Sequence, residues 1–326
     1  MPDAQVPQMR AVSQHTAGGP EVLTLITTDR PVAGPVEILV KVHAAGVNPT
    51  DWYTRADTTA DHGSGRPAIL GYDVSGVVEA VGPGVTAFEP GDRVYGMPRF
   101  PHPASAYAEY VTGPTRHFTR LPASLDHIQG AALPLAALTA WQALVDTADV
   151  RPGQRVLIHA AAGGVGHLGV QIAKSRGAHV IGTARRIKHE FLRSLGADEL
   201  IDYTEQDFAE TLREVDVVLN TIEGDYAARS LRTLRPGGTL VSILPLDPAF
   251  PHAQAREAGV RAVFMLVEPD RAGLEAISAL VESGRLQVRL DSVFPLAEAA
   301  RAHARGETSQ ATGKIVLSVA SPVPLR

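Results

Sequence analysis

The stretch Gly164-Val165-Gly166-His167-Leu168-Gly169 has the spacing GxGxxG and lies between an apolar run, residues 155–160, and a helical pattern. In that pattern apolar or small residues recur on one helix face, at Val165, Leu168, Gly169, Ile172 and Ala173. A strand, a glycine turn and a helix in this order are typical of a dinucleotide site, where the backbone approaches the pyrophosphate and the helix N-terminus attracts it. A simple turn between strand and helix is the alternative, since glycine-rich turns also occur by chance.

Strands and helices continue to alternate after this turn. The pattern predicts a helix carrying Phe191, Leu192 and Leu195, and another around residues 274–281. Further strands are predicted at residues 179–183, 216–219, 239–243 and 261–267. Strands separated by helices imply a parallel sheet with right-handed crossovers, so this part of the chain is predicted to be α/β.

The N-terminal part of the chain has a different pattern. Between residues 10 and 121, β-branched runs such as 38–43 and 74–81 are separated by Gly- and Pro-rich turns. This predicts an all-β module, and the tail, including a predicted strand at residues 314–319, is expected to fold back onto it.

These patterns predict two domains. Residues 1–123 and 265–326 are assigned to the β domain, and residues 124–264 to the inserted α/β domain.

Composition narrows the possible functions. The 326 residues carry 30 Lys and Arg against 35 Asp and Glu, a net charge of −5, so no basic excess suggests a nucleic acid or an anionic membrane as partner. With no cysteine, disulfides and thiolate zinc sites are excluded, and the 12 histidines show no metal-binding spacing. No apolar run reaches the length of a membrane span, and the polar N-terminal residues are unlike a secretory signal. A cytoplasmic location is expected.

The segment after the next predicted strand indicates which dinucleotide binds. An NAD site carries an acidic residue about 20 positions beyond the first glycine. Here that position is Ala184, within Thr183-Ala184-Arg185-Arg186-Ile187-Lys188, which offers three cations and no carboxylate. A 2′-phosphate would be bound there, so NADP(H) is the predicted cofactor. Arg185 and Lys188 are the predicted contacts, and Arg186 is expected to face solvent.

Ordered matches along the chain resemble the zinc-free medium-chain dehydrogenase/reductases, in the branch of quinone oxidoreductases (zeta-crystallin-like) and alkenal/enone reductases. The matching segments lie at residues 47–51, 71–96, 138–141, 161–174, 195–198, 201–203 and 311–316. The resemblance implies a GroES-like β-barrel catalytic domain built from both chain ends, a doubly wound Rossmann domain inserted into it, and an active-site cleft between the two. It also implies a homodimer formed by pairing the edge strands of the Rossmann sheets, here the strand predicted at residues 261–267.

The resemblance also implies a set of site residues. Asn48 and Thr139 would flank the nicotinamide, Tyr53 would project into the cleft, and Tyr203 would lie near the 2′-phosphate. The full predicted cofactor set is Asn48, Thr139, Ala162, Gly163, Gly164, Val165, Gly166, Thr183, Arg185, Lys188, Tyr203, Ile222 and Leu244.

The chain departs from the zinc alcohol dehydrogenases at their metal-binding positions. Asn48 stands where those enzymes carry a cysteine, and Tyr72 and Asp73 stand where they carry a His-Glu pair. Without a Lewis acid, the expected substrate is one that conjugation already makes electrophilic, a quinone or an α,β-unsaturated carbonyl. No metal ligands are predicted. The amide N–H of Asn48 and the hydroxyl of Tyr53 are the predicted donors toward the developing oxyanion, with water as the final proton source.

Other interpretations of these residues stay open. Asn48, before Pro49, could initiate a turn, and Tyr53 could be an ordinary surface or core aromatic residue. Asp51 is expected to cap a helix, and Lys314 and His159 are expected to be structural.

Two other functions also stay open. One is an NADPH-binding sensor or structural protein with little turnover. The other is an enoyl-thioester reductase, for which Arg99, Arg116 and Arg120 could provide a basic cleft mouth.

Overall fold

The computed structural model describes residues 6–58, 68–244 and 250–319, and its contacts divide the chain into two compact units. The first unit comprises Met1–Leu135, Glu268–Ser278 and Leu290–Arg326, and the second comprises Ala136–Val267 and Ala279–Arg289. The first unit is therefore built from both ends of the chain. The domain boundaries predicted at 123/124 and 264/265 stay predictions.

The first unit is dominated by β-structure. Its N-terminal elements are β1 (Gln8–Gln14), β2 (Thr24–Asp29), β3 (Glu37–Val47), α1 (Pro49–Ala56), β4 (Ala68–Ile69), β5 (Asp73–Val81), β6 (Arg93–Gly96), β7 (Tyr110–Pro114), β8 (Phe118–Arg120) and α2 (His127–Ala131).

The second unit alternates helix and strand. Its elements are α3 (Pro134–Trp141), whose first two residues belong to the first unit, β9 (Arg155–Ile158), α4 (Gly164–Ser175), β10 (His179–Thr183), α5 (His189–Ser194), β11 (Glu199–Ile201), α6 (Phe208–Thr211), β12 (Val215–Asn220), α7 (Tyr226–Leu231), β13 (Leu234–Ser242), α8 (His252–Glu257) and β14 (Arg261–Phe264). The chain ends with α9 (Arg271–Glu282), β15 (Leu290–Pro295), α10 (Ala299–Glu307) and β16 (Lys314–Ser318).

The predicted return of the tail to the β module is confirmed by strand pairing. The larger sheet of the first unit has the order β15-β16-β3-β5-β6-β8, with β7 paired to β3, and the smaller sheet has the order β2-β1-β4. Strand β16 runs antiparallel to β3, placing Ile315 opposite Val47. Leu296, Ile315 and Leu317 from the tail pack in one core with Val40 and other N-terminal residues.

The predicted parallel sheet is also confirmed. The described strands of the second unit form one sheet in the order β11-β10-β9-β12-β13-β14, and every pair in it is parallel. Numbered within the sheet, this is the Rossmann order 3-2-1-4-5-6. The strand order reverses at β9, and a crevice at the carboxyl ends of the strands is where such sheets bind their ligand. No described helix is long and apolar enough to span a bilayer.

Some predicted boundaries were wrong for local reasons. The strand predicted at residues 155–160 ends at Ile158, because Ala160 takes the left-handed conformation, with φ of 44°. The strand predicted at residues 261–267 ends at Phe264. The three-residue strand β11 was not predicted, because it is too short to show alternation.

Candidate functional site

The glycine turn lies between the end of β9 and the start of α4. Gly163 occupies the N-cap of α4, and because it has no side chain to cap the helix, N–H groups of the first turn are left for a ligand. Gly166 packs against the turn so closely that a Cβ there would lie 2.4 Å from the carbonyl oxygen of Ala160. The turn therefore needs glycine at this position, and it fits a bound pyrophosphate.

His167, a variable position of the motif, fixes the turn from behind. Its buried ring donates from Nδ1 to the carbonyl oxygen of Gly163, at 2.8 Å. Its Nε2 accepts from the backbone N–H of Arg289, at 3.2 Å. These partners require a neutral ring protonated at Nδ1. The motif spacing gave no signal for this role, because position four of GxGxxG accepts any residue.

The side chain of Thr183 faces the interior. Its hydroxyl accepts from the N–H of Ala160 at 3.3 Å and lies 3.2 Å from Nδ1 of His159. The Nε2 of His159 lies 2.9 Å from the hydroxyl of Ser230, and burial lowers the pKa of His159 to about 3. His159 is therefore a neutral core residue, as expected, that links β9 to its neighbours.

Arg185 and Arg186, which follow β10, have different partners. Arg185 is exposed, and its Nε donates to the hydroxyl of Tyr203 at 3.1 Å, so a cation and a phenol from two neighbouring strand ends lie together. Arg186 is also exposed, but its guanidinium donates to Glu205 at 2.9 Å. Its backbone N–H donates to Asp202 at 2.8 Å. The arrangement fits a 2′-phosphate at Arg185 and Tyr203 and leaves Arg186 in a surface ion pair.

The remaining predicted cofactor residues of the second unit also follow parallel strands. Ala162 belongs to the glycine turn, Lys188 is partly buried after β10, and Ile222 and Leu244 are partly buried after β12 and β13. Thr139 is a buried residue of α3. The fold thus places the members of the predicted set that belong to the second unit, except Thr139, along the carboxyl edge of the sheet. Their contacts with a cofactor stay predictions.

In the first unit the two predicted oxyanion donors differ in environment. Asn48 is the N-cap of α1 and is 1% exposed, whereas Tyr53 is 46% exposed and packs edge-on against Trp52. The N–H of Asn48 donates to Asp51 at 2.8 Å, so Asp51 caps the helix as expected. The side chain of Asn48 contacts Asp73 and Lys314. The catalytic roles of Asn48 and Tyr53 stay predictions.

A second chain of buried polar groups begins at Asp51. The hydroxyl of Tyr107 donates to Asp51 at 2.9 Å and lies 3.1 Å from Nε2 of His303. Arg55 donates to Nδ1 of His303 at 2.9 Å and pairs with Glu307. Since Arg55 only donates, the proton of His303 must lie on Nε2. Burial, with the charge of Arg55, lowers the pKa of His303 to about 3 and keeps this ring neutral.

Tyr72 and Asp73 have structural partners of different kinds. Tyr72 is buried edge-to-face against Phe100, with ring centroids 5.0 Å apart, and burial raises its pKa. Asp73 is fully buried, and its Oδ1 accepts from the N–H of Leu135 at 2.7 Å. Among the residues that the structure describes, no three His, Asp or Glu side chains form a metal-binding group.

Comparison with known proteins gives two family matches. Residues 34–123 match the alcohol dehydrogenase GroES-like domain, and residues 195–317 match the family described as zinc-binding dehydrogenase. Human quinone oxidoreductase is 32% identical over 95% of this chain and 97% of its own length. The 2-haloacrylate reductase of a Burkholderia species is 36% identical over 93% of this chain and 97% of its own length.

Some relatives are much longer. A pikromycin polyketide synthase component of Streptomyces venezuelae is 35% identical over 98% of this chain, which spans 9% of that protein.

Solved structures agree with the observed fold. The quinone oxidoreductase of Coxiella burnetii superposes with a TM-score of 0.91 at 36% identity, over 96% of this chain and all of that one. A mycobacterial protein in complex with NADPH superposes with a TM-score of 0.82 at 31% identity, over 95% of this chain and all of that one.

Proposed function

Because the chain belongs to the zinc-free medium-chain dehydrogenase/reductases, in their quinone oxidoreductase branch, we propose that it is an NADPH-dependent reductase of quinones or α,β-unsaturated carbonyl compounds. The observation that carries this proposal is the side chain at position 48. An asparagine held by hydrogen bonds, and not a thiolate, occupies the position of the cysteine that binds zinc in alcohol dehydrogenases. A conjugated acceptor needs orientation and hydrogen-bond donors more than it needs a Lewis acid.

The second unit offers the binding site for NADPH. The turn at Gly163 to Gly166 would hold the pyrophosphate, and Arg185 with Tyr203 would hold the 2′-phosphate. When bound, NADPH supplies the hydride. In this scheme Asn48 and Tyr53 donate hydrogen bonds to the substrate oxygen as it gains negative charge, and water delivers the final proton.

An enoyl-thioester reductase is the second candidate, favoured by the match to the polyketide synthase component. The described contacts weaken the basic patch on which this reading depends. Arg99 pairs with Glu37, and Arg120 pairs with Asp92 at 2.8 Å, so two of the three arginines are neutralised by carboxylates of the same unit. Thioester binding would need these ion pairs to open.

A substrate panel tests the proposal. Purified protein would be mixed with NADPH and a quinone, a simple enone or an enoyl thioester, and with NADP⁺ and a secondary alcohol. We expect oxidation of NADPH by quinones or enones and no measurable dehydrogenation of the alcohol. Turnover of the thioester alone would establish the second candidate. Tight NADPH binding without turnover of any acceptor would indicate a sensor or structural protein.

The proposed assembly is a homodimer in the cytoplasm. Strand β14 forms one end of the described Rossmann sheet and is partly exposed, and Leu266, which follows it, is 50% exposed. Pairing of two β14 strands would cover an edge that otherwise invites aggregation. Light scattering tests this: we expect the wild-type protein to be a dimer and a Val263→Lys variant to be a monomer.

A further inference from the structure

Three strands of the larger sheet bring polar groups to one end of the first unit. The antiparallel register places Gly46 of β3 opposite Asp73, the first residue of β5. On the other side, Val47 lies opposite Ile315, so that Lys314, the first residue of β16, reaches the same end. Asn48 follows directly after β3. The sheet thus joins three side chains that are up to 266 positions apart in the sequence.

The contacts among these three groups are complementary. Lys314 donates from Nζ to Oδ1 of Asn48 and, at 3.1 Å, to the carbonyl oxygen of Val47. The Nδ2 of Asn48 donates to Oδ2 of Asp73 at 2.8 Å. The Nζ of Lys314 also lies 3.7 Å from Oδ2 of Asp73, with side-chain exposures of 3% and 0%. Burial raises the pKa of Asp73 and lowers the pKa of Lys314, and the charge of each group opposes the shift of the other, so the cluster combines an ion pair with an amide that bridges both charges.

These partners permit only one orientation of the amide. An ammonium group has no acceptor and an ionised carboxylate has no donor. Turning the amide over would place Nδ2 against Lys314 and Oδ1 against Asp73, which would lose both hydrogen bonds. In the observed orientation one hydrogen of Nδ2 is bound to Asp73, and the other is fixed in direction.

The surrounding backbone limits any rearrangement. The Oδ1 of Asp73 accepts from the N–H of Leu135 at 2.7 Å, so both carboxylate oxygens are held. A Cβ on Gly46 would lie 2.8 Å from Oδ2 of Asp73 and 2.4 Å from the carbonyl oxygen of Ala131, so this strand position has no room for a side chain. The carboxylate of Asp73 is therefore held in place by backbone groups at the strand ends.

We propose that Asp73 and Lys314 are positioning residues for Asn48, which hold its amide so that the second N–H points in one direction toward a bound acceptor. This inference rests on the proposed function, because it assumes that Asn48 takes part in the reduction. It also assigns a role to Asp73, which stands where zinc relatives carry a glutamate.

The first test is a double-mutant cycle on kcat. Replacing one member of the pair leaves a buried charge unpaired, so the central variant is Asp73→Asn with Lys314→Met, which removes both charges together. With Asn48 present, we expect this pair of substitutions to lower kcat about 10-fold. In an Asn48→Ala background it should change kcat by less than about 2-fold, because the group to be positioned is already gone.

Two controls accompany the cycle. Lys314→Arg keeps a charged donor and should retain more activity than the neutralised pair. Arg305→Met breaks the ion pair with Asp291 elsewhere in the first unit and should lower thermal stability without lowering kcat. Equal losses of kcat with and without Asn48 would show that the charged pair only stabilises the fold, and would overturn the proposal.

The second test does not depend on turnover. In ¹⁵N-labelled, deuterated protein, the side-chain NH₂ signals of Asn48 are assigned by their disappearance in Asn48→Ala. We expect slow exchange with solvent in the wild-type protein and faster exchange in the neutralised pair. If these hydrogens exchange with solvent as slowly in that variant as in the wild-type protein, the proposal is overturned. If the wild-type protein reduces no acceptor, the proposed function fails, and these signals still decide whether the pair orients the amide.

Discussion

Replacing Asp51 by asparagine should make the first unit more stable at pH 8 and change its stability little near pH 4. Asp51 is fully buried, and its Oδ2 accepts from the N–H of Asn48 at 2.8 Å and from the hydroxyl of Tyr107 at 2.9 Å. Among the described residues its Oδ1 has no hydrogen-bond partner. Burial, reinforced by the charge of Asp73, raises the pKa of Asp51 from 3.8 to about 7.

The sign of the effect follows from proton binding. Between pH 3.8 and about 7 the folded protein retains a proton on Asp51 that the unfolded chain has lost. The free energy of unfolding therefore falls as pH rises through this window and levels off above it. A shift of this size corresponds to about 4 kcal/mol. An asparagine amide keeps an oxygen acceptor for both donors and has no charge to bury. The free energy of unfolding of the Asp51→Asn variant should therefore not fall as pH rises through this window.

Urea unfolding between pH 4 and pH 8 measures this effect. The chain has two tryptophans, and a Trp141→Phe background leaves Trp52, on α1, as the reporter of the first unit. The folded protein also loses stability as pH falls below 6.5, because burial lowers the pKa of four histidines of this unit: His43, His117, His127 and His303. They contribute almost equally to both proteins, so the difference between the two curves isolates Asp51.

Asp291 provides a control of opposite sign. Although burial raises its pKa, hydrogen bonds from Arg305, Thr312 and Ser292 outweigh this and lower the pKa of Asp291 overall. Its stabilising contribution is present above the unfolded pKa and is lost on acidification. Because the folded pKa lies below the unfolded value of 3.8, the stability lost in Asp291→Asn should grow as pH rises toward 4 and stay level from pH 4 to pH 8. A stability difference between Asp51→Asn and its parent that stays flat from pH 4 to pH 8 would refute the reasoning.

Three further predictions concern the cofactor and the substrate. Arg185→Ala should weaken NADPH binding about 10-fold relative to NADH in fluorescence titrations, whereas Arg186→Ala, which loses only an exposed pair with Glu205, should change it little. Gly166→Ala should abolish cofactor binding, but Gly169→Ala, whose Cβ would have ordinary contacts at 3.5 Å, should retain it in the same titrations. Tyr53→Phe should lower enone reduction about 10-fold and quinone reduction less in steady-state assays, because water can replace its hydroxyl.

The sequence predicted the fold of the second unit better than the polar contacts of the first unit. The periodicity of helices and strands is visible in short windows of sequence, so the alternation of strands and helices around the glycine turn could be inferred from residues 155–243. The helical face at Leu168 and Ile172 is buried as predicted. The left-handed turn at Ala160 was not predicted, because a conformation set by local packing has no periodic signal.

The polar networks of the first unit were not predictable in the same way. Lys314 and Asn48 come into contact only because strands from distant parts of the chain pair, and their spacing along the sequence gives no indication of that contact. Lys314 was expected to be structural, and the described contacts show that it binds a predicted site residue directly. The role of Tyr107 and His303 beneath Asp51 had no sequence signal at all, since a buried tyrosine and a buried histidine resemble ordinary core residues.

The cost of burying Asp73 and Lys314 indicates why orientation is the better explanation for them. Replacing a buried ion pair with apolar residues of similar size is often neutral or stabilising, so stability alone does not account for these charges. An apolar pair could not distinguish the oxygen of the Asn48 amide from its nitrogen, whereas an ammonium and a carboxylate do so at once. We therefore attribute the orientation of the Asn48 amide to the register of the three strands, which brings Asp73 to its nitrogen and Lys314 to its oxygen.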